Sequence, residues 1–214
     1  MRRRLILGLF VLVFSSAAGD GRAQLGELVE SVDISDPAAS PIQRLVAADD
    51  LRISGRYEEA IREYVALVAV PEHRLAATLG RAECLRRMGS YTEALAALNE
   101  GSDLGSASAD WHVQVAEVMT LTGRYANALE RARQAIVLDG DHVSAHYLRG
   151  RLLETLGRRD DAIDAYRWFE DRLVRGIPTT APEMTTVALG YHRHGELTRT
   201  DRSPYALHEL LQAA

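Results

Sequence analysis

Small and large apolar positions recur along this chain with a spacing of 34 residues. On a frame that begins at Pro41, residues 41–74, 75–108, 109–142 and 143–176 align position for position. Position 8 is small in every frame: Ala48, Ala82, Ala116 and Gly150. Position 11 is large and apolar: Leu51, Leu85, Met119 and Leu153. Position 20 is always alanine (Ala60, Ala94, Ala128, Ala162), and Ile61, Leu95, Leu129 and Ile163 follow it. Small residues facing large ones let two antiparallel helices approach closely and interlock. The pattern predicts one helix over the first fourteen positions of each frame and a second after position 15.

Position 15 is glycine throughout: Gly55, Gly89, Gly123 and Gly157. A helix ends there and the chain reverses, which favours a left-handed backbone that glycine adopts cheaply. Two residues on, Tyr57, Tyr91 and Tyr125 are placed to fold back over the junction, and Arg159 departs from that rule. Self-similarity at this period marks a stack of repeats, not one closed globule.

These frames resemble tetratricopeptide repeats, whose pattern is a small residue at 8, Gly at 15, Tyr at 17, Ala at 20, an aromatic at 24 and Ala at 27. Tyr64 and Tyr166 fill position 24 and Ala135 fills position 27, while Leu98, Ala132, Leu67, Gly101 and Phe169 depart from it. The second repeat is the weakest match, and Asn99 to Ser108 reads as a polar loop. The resemblance implies an all-α fold, a right-handed superhelical solenoid of antiparallel helix pairs with a concave face formed by the first helix of each pair. It implies that positions 2, 5, 9, 12 and 13 point into that groove. Position 5 supplies an apolar row, Leu45, Leu79, Val113 and Tyr147. Position 9 supplies Asp49, Glu83, Glu117 and Arg151, and position 12 adds Arg52, Arg86, Thr120 and Glu154. Family members that grip a C-terminal carboxylate use Lys, Asn and Arg where this chain has acids. A segment with apolar anchors and some basic character fits such a groove better.

The ends break the period. Arg2-Arg3-Arg4, the apolar run Leu5–Phe14 and the small residues Ser15–Ala18 have the order of a secretory signal peptide, too short to span a bilayer. Cleavage is expected after Ala18 or Ala23, with retention as an anchor the other outcome. Residues 24–40 read as a linker, or as a short capping helix at Leu25–Val32. Residues 177–214 read as a degenerate fifth repeat or capping helices. There, Glu183–His194 reads as a helix ending at Gly195, and Pro204–Ala214 is the expected second helix, carrying Leu207, Leu210 and Leu211.

Charge narrows the partner. The first 23 residues carry four arginines and one aspartate, so the rest has 21 arginines against 29 acids. An acidic chain without a basic stripe repels phosphate backbones, which argues against nucleic acid. All 25 basic residues are arginine, which leaves lysine-dependent chemistry without its residue. His142-x-x-x-His146 has helical metal-ligand spacing near Asp139 and Asp141. Yet His142 falls at a turn, and Val143 stands where a zinc protease needs glutamate. His192 and His194 point to opposite sides of their helix. The lone Cys84 reads as a buried small residue, and packing between repeats is the simpler role for Trp111 and Trp168. No nucleophile turn, phosphate loop or catalytic set assembles, so no enzyme activity, metal or cofactor is expected.

The expectation is an exported scaffold that binds a protein or peptide in its groove, with no membrane span in the mature chain. The rival readings are the N-terminal interaction module of a larger exported enzyme, such as a peptidase, and an envelope protein that self-assembles through its last leucines. The oligomeric state is left open.

Overall fold

The computed structural model describes residues 39–198. The chain begins its regular structure at Ser40, whose Oγ accepts the amide of Gln43 while the Gln43 Oε1 accepts the amide of Ser40 at 2.8 Å. That capping box, with Pro41 at the first helical position, starts α1 (Pro41–Ile53). The helices α2 (Tyr57–Leu67), α3 (Arg74–Arg87), α4 (Tyr91–Glu100), α5 (Ser102–Gly105), α6 (Ala109–Leu121), α7 (Tyr125–Leu138), α8 (Val143–Thr155), α9 (Arg159–Val174) and α10 (Ala181–Thr198) follow. No strand occurs among the described residues.

Successive helices pack as antiparallel pairs: α1 with α2, α3 with α4, α6 with α7 and α8 with α9. First helices also touch the first helix of the next pair, giving a row α1, α3, α6, α8, α10. The second helices make no comparable row. A stack whose first helices are drawn together and whose second helices are splayed curves toward the first, so the inner face is theirs. The fold is a helical solenoid with its concave side built by α1, α3, α6 and α8.

The reversals are alike in detail. Gly55, Gly89, Gly123 and Gly157 have φ of 78°, 82°, 76° and 73°. After α3, the amide of Gly89 donates to the Arg86 carbonyl at 3.1 Å and that of Ser90 to the Leu85 carbonyl at 2.9 Å. This is the paired bonding of a Schellman turn, which satisfies the last carbonyls of the helix. A Cβ added at Gly89 would meet nothing within 4 Å, so its cost is purely the left-handed backbone. Gly89→Ala is therefore expected to lower stability by about 1 kcal/mol, measured by urea denaturation.

Packing follows the repeat frame. Ala48, Ala116, Ala60, Ala94, Ala128 and Ala162 are all 0% exposed. Tyr64 and Tyr166 are the largest fully buried side chains. Apolar clusters join neighbouring pairs: one under α1 to α3, one under α3 to α6, one from α6 to α10. Stability in such a stack is a sum of neighbour interfaces.

The segment 99–108, the turn tyrosines and the far end differ from the pattern's expectation. Residues 99–108 are not a loose polar loop but hold α5, and Gly105 is buried where a Cβ would strike the Trp111 ring. Trp111 drops into that space, and its Nε1 donates to the Leu98 carbonyl at 2.9 Å. Two of the turn tyrosines, Tyr57 and Tyr91, pack against cores, whereas Tyr125 is 37% exposed. At the far end, α10 does not stop at Gly195 but runs to Thr198 with Gly195 buried inside it. Gly195 has no positive φ; the additional left-handed glycine is Gly176 (φ 62°), which closes α9. The small residue that lets α10 close on α9 is Gly190, buried against the Phe169 ring. The expected signal peptide, the segment 24–38 and the last helix with Leu207, Leu210 and Leu211 lie outside the described residues.

Candidate functional site: the concave face

The inner face is assembled from equivalent positions of four helices. On α1, Asp49 accepts the Tyr64 hydroxyl at 2.7 Å and a guanidinium N–H of Arg52 at 3.1 Å. Burial, and then the hydrogen bond to Asp49, raise the pKa of Tyr64, so it remains a donor. On α3, Glu83 is bridged by Arg86 and by Arg87, the latter at 2.7 Å. Arg86 also reaches across to Glu117 of α6, at 3.4 Å. On α8, the Arg151 guanidinium lies 5.9 Å from the centre of the Tyr147 ring, in cation–π range. Glu154 accepts the Tyr166 hydroxyl at 2.8 Å and is clamped by Arg193 of α10. Burial opposes the ionised Glu154, but the bonds from Arg193 and Tyr166 prevail and its pKa is lowered.

The expected row of acids is therefore a ladder of alternating charge. Its steps from α1 to α10 run Asp49–Arg52, then Glu83–Arg86–Glu117, then Arg151 and Glu154–Arg193. The position-12 arginines do not project independently of the position-9 acids. Spacing of three or four on one helix face brings them together. Beside the ladder, Leu45, Leu79 and Tyr147 are half-buried and border the apolar clusters. Val113 does not join them. It is 6% exposed and packs with Ala135 and Ala145 of the neighbouring helices, because α7 and α8 close over it.

Glu117 is the ladder's weakest member. Burial pushes its carboxyl pKa up, against the pull of Arg86. A raised folded pKa means that the ionised form costs stability at neutral pH, a cost removed as pH falls through that pKa. Glu117→Gln is expected to leave the melting temperature at pH 7 unchanged or higher, as thermal denaturation would show.

The tetratricopeptide repeat family matches residues 45–109 and 122–168, more than half of the chain. The chain is a tetratricopeptide repeat protein. Solved structures with the same fold include MamA, 19% identical, with a TM-score of 0.54 over 74% of this chain and 86% of that one. A tetratricopeptide repeat protein from Parabacteroides merdae is 17% identical, with a TM-score of 0.57 over 81% of this chain and 66% of that one. YrrB, described as a tetratricopeptide repeat protein with an unusual peptide-binding site, is 17% identical, with a TM-score of 0.52 over 77% and 84%. A comparison with curated protein sequences finds no match. Arrays of this family are protein-interaction scaffolds, and the concave ladder of this tetratricopeptide repeat protein lies on the face such scaffolds use.

The other sequence candidates have structural employment. His142 caps α8: its Nδ1 accepts the Ala145 amide at 3.3 Å, while Nε2 lies 3.0 Å from Asp110. His146 instead points its Nε2 at the Gly140 carbonyl, 2.9 Å away, and stacks on Trp168 at 3.9 Å. The two imidazoles face different partners. Among the described residues, no group of three or more His, Cys, Asp or Glu is arranged around a metal. Cys84 is fully buried, and burial pushes its thiol up to about 11.

Sequence reasoning missed a second histidine of this kind. His112 occupies the same frame position as His146 and points its Nε2 at the Ser106 carbonyl at 3.2 Å. Each of these position-4 imidazoles latches the connector six residues before it. Histidines 34 residues apart in the sequence were the available signal. The Tyr64–Asp49 and Tyr166–Glu154 bonds carried no such signal, since they run through the helix-pair interface.

Proposed function

We propose that this tetratricopeptide repeat protein is an exported, non-enzymatic scaffold that holds an extended or helical protein segment against Leu45, Leu79 and Tyr147. The carrying observation is the ladder beside those residues. Its charges other than Arg151, which lies over the Tyr147 ring, are already paired with one another, so a ligand that excludes water leaves few bare charges behind. Side chains of Asp49, Arg52, Glu83, Arg86, Glu117 and Arg151 then set register and orientation, while the apolar row supplies anchoring surface. The peptide-binding site described for YrrB supports a peptide ligand on this fold. The order of basic, apolar and small residues over 1–23 supports export, and mass spectrometry of the mature chain should find its N-terminus after Ala18 or Ala23.

The groove assignment is tested by the double variant Leu79→Ala, Tyr147→Ala. Affinity capture from envelope extract is expected to fall about tenfold or more, in line with the loss of two apolar anchors. Full capture by a variant with unchanged helicity contradicts the assignment.

A further inference from the structure

We infer that the chain carries a second binding site, for a compact oxyanion, centred on Arg149. Side chains of α7, α8 and α9, with Arg158 just before α9, line a recess of about 240 Å³ that includes Arg133, Arg149, Leu153, Asp161 and Asp164. None of these residues occupies a groove position of the frame, so the site is separate from the concave face. Within it, Asp161 is taken by Arg158 at 2.6 Å and Asp164 by Arg167 at 3.0 Å. Arg133 has only a long contact with Glu130, at 3.6 Å. Arg149 has no ion pair among the described residues, and its Nε is buried without a hydrogen-bond partner. Burial, and next the charge of Arg133, lower its pKa, as befits a cation lacking a counter-ion.

The repeat itself shows what is missing. Arg81 holds the same frame position one pair of repeats earlier and is satisfied by Glu100 at 2.9 Å. The frame position of Glu100 is filled in the fourth repeat by Trp168, which stacks on His146. Arg149 thus has the charge of Arg81, with an indole standing where the partner acid of Arg81 stands. An unpaired, partly buried guanidinium is costly, and a planar fork of donors beside a second arginine matches a phosphate or carboxylate group. The shared chemistry is an oxyanion of one or two negative charges.

The test uses the full chain in chloride buffer, titrated with sodium phosphate and, in parallel, sodium acetate at matched ionic strength. Phosphate or acetate at about tenfold its dissociation constant is expected to raise the melting temperature by about 3 °C or more. Which of the two does so identifies the group. Arg149→Met is expected to melt above wild type in chloride alone and to lose the anion response. Arg133→Gln, a half-exposed change that leaves the interior intact, is expected to weaken that response about tenfold. A wild-type chain indifferent to both anions overturns the proposal. So does an Arg149→Met chain less stable than wild type in chloride, since Arg149 would then have its partner already.

Discussion

Truncating Tyr166 to alanine is expected to cost about 3–5 kcal/mol of unfolding free energy, the range for removing a large buried aromatic. The side chain is 0% exposed and lies over Gly150, where a Cβ would come within 2.5 Å of the ring. Its ring also neighbours Tyr147 and Phe169, with centroids 6.2 and 6.4 Å away. The truncation opens a cavity between α8 and α9 and removes one donor from Glu154. Tyr166→Phe isolates the second effect and should cost about 1–2 kcal/mol, because Arg193 still holds the carboxylate. In a stack of neighbour interfaces the damage stays local, so urea denaturation of Tyr166→Ala should show α8 to α10 melting ahead of α1 to α4. A loss below 1 kcal/mol would mean that the ring is not the joint between the last helices.

The second large effect is on pH dependence. Burial drives the pKa of His146 down from 6.5 to about 4, the Gly140 carbonyl opposing it, and burial likewise lowers His112. A histidine whose folded pKa lies below its unfolded one is fully stabilising above the unfolded value. That contribution is lost as pH falls, here between about 6.5 and 4, and amounts to at most about 3 kcal/mol for His146. Other charges around the ring divide: Arg149 and His142 lower its pKa and Asp141 raises it. His142 itself works the other way. Its bond to Asp110 raises its pKa, so that contribution is present at low pH and fades as pH rises. The difference between wild type and His146→Gln removes this background. Stability measured from pH 7.5 to 4 should fall less steeply in the variant, and parallel curves would contradict the buried neutral imidazole.

Much of the fold was legible because a solenoid repeats its local rules. Ala60, Ala94, Ala128 and Ala162 mark one helix contact four times, and the four glycines mark one turn. Legibility failed where the period failed. Gly195 looked like a fifth turn by type and spacing, yet α10 has no partner helix among the described residues to turn towards, and it continues past that residue. Asn99–Ser108 looked loose because its residues are polar and small, but Gly105 is small to admit Trp111. The candidate groove was legible only as a list of positions. Periodicity put acids in one row; it did not show that Arg52 and Arg86 turn back to neutralise them, or that Arg193 of α10 reaches Glu154. Val113 dropped out because neighbouring helices cover it. Arg149 was invisible for a different reason, since its meaning depends on Trp168 standing where Glu100 stands two frames earlier.

Photo-crosslinking in the native cell separates a partner held in the groove from one held elsewhere. A photoreactive residue at Leu79 or Tyr147, on the concave face, is compared with one at Arg131 on α7, away from that face. A discrete crosslinked protein band is expected from both groove positions and none from position 131. Equal crosslinking from all three, or a band from position 131 alone, would contradict a groove that holds the partner.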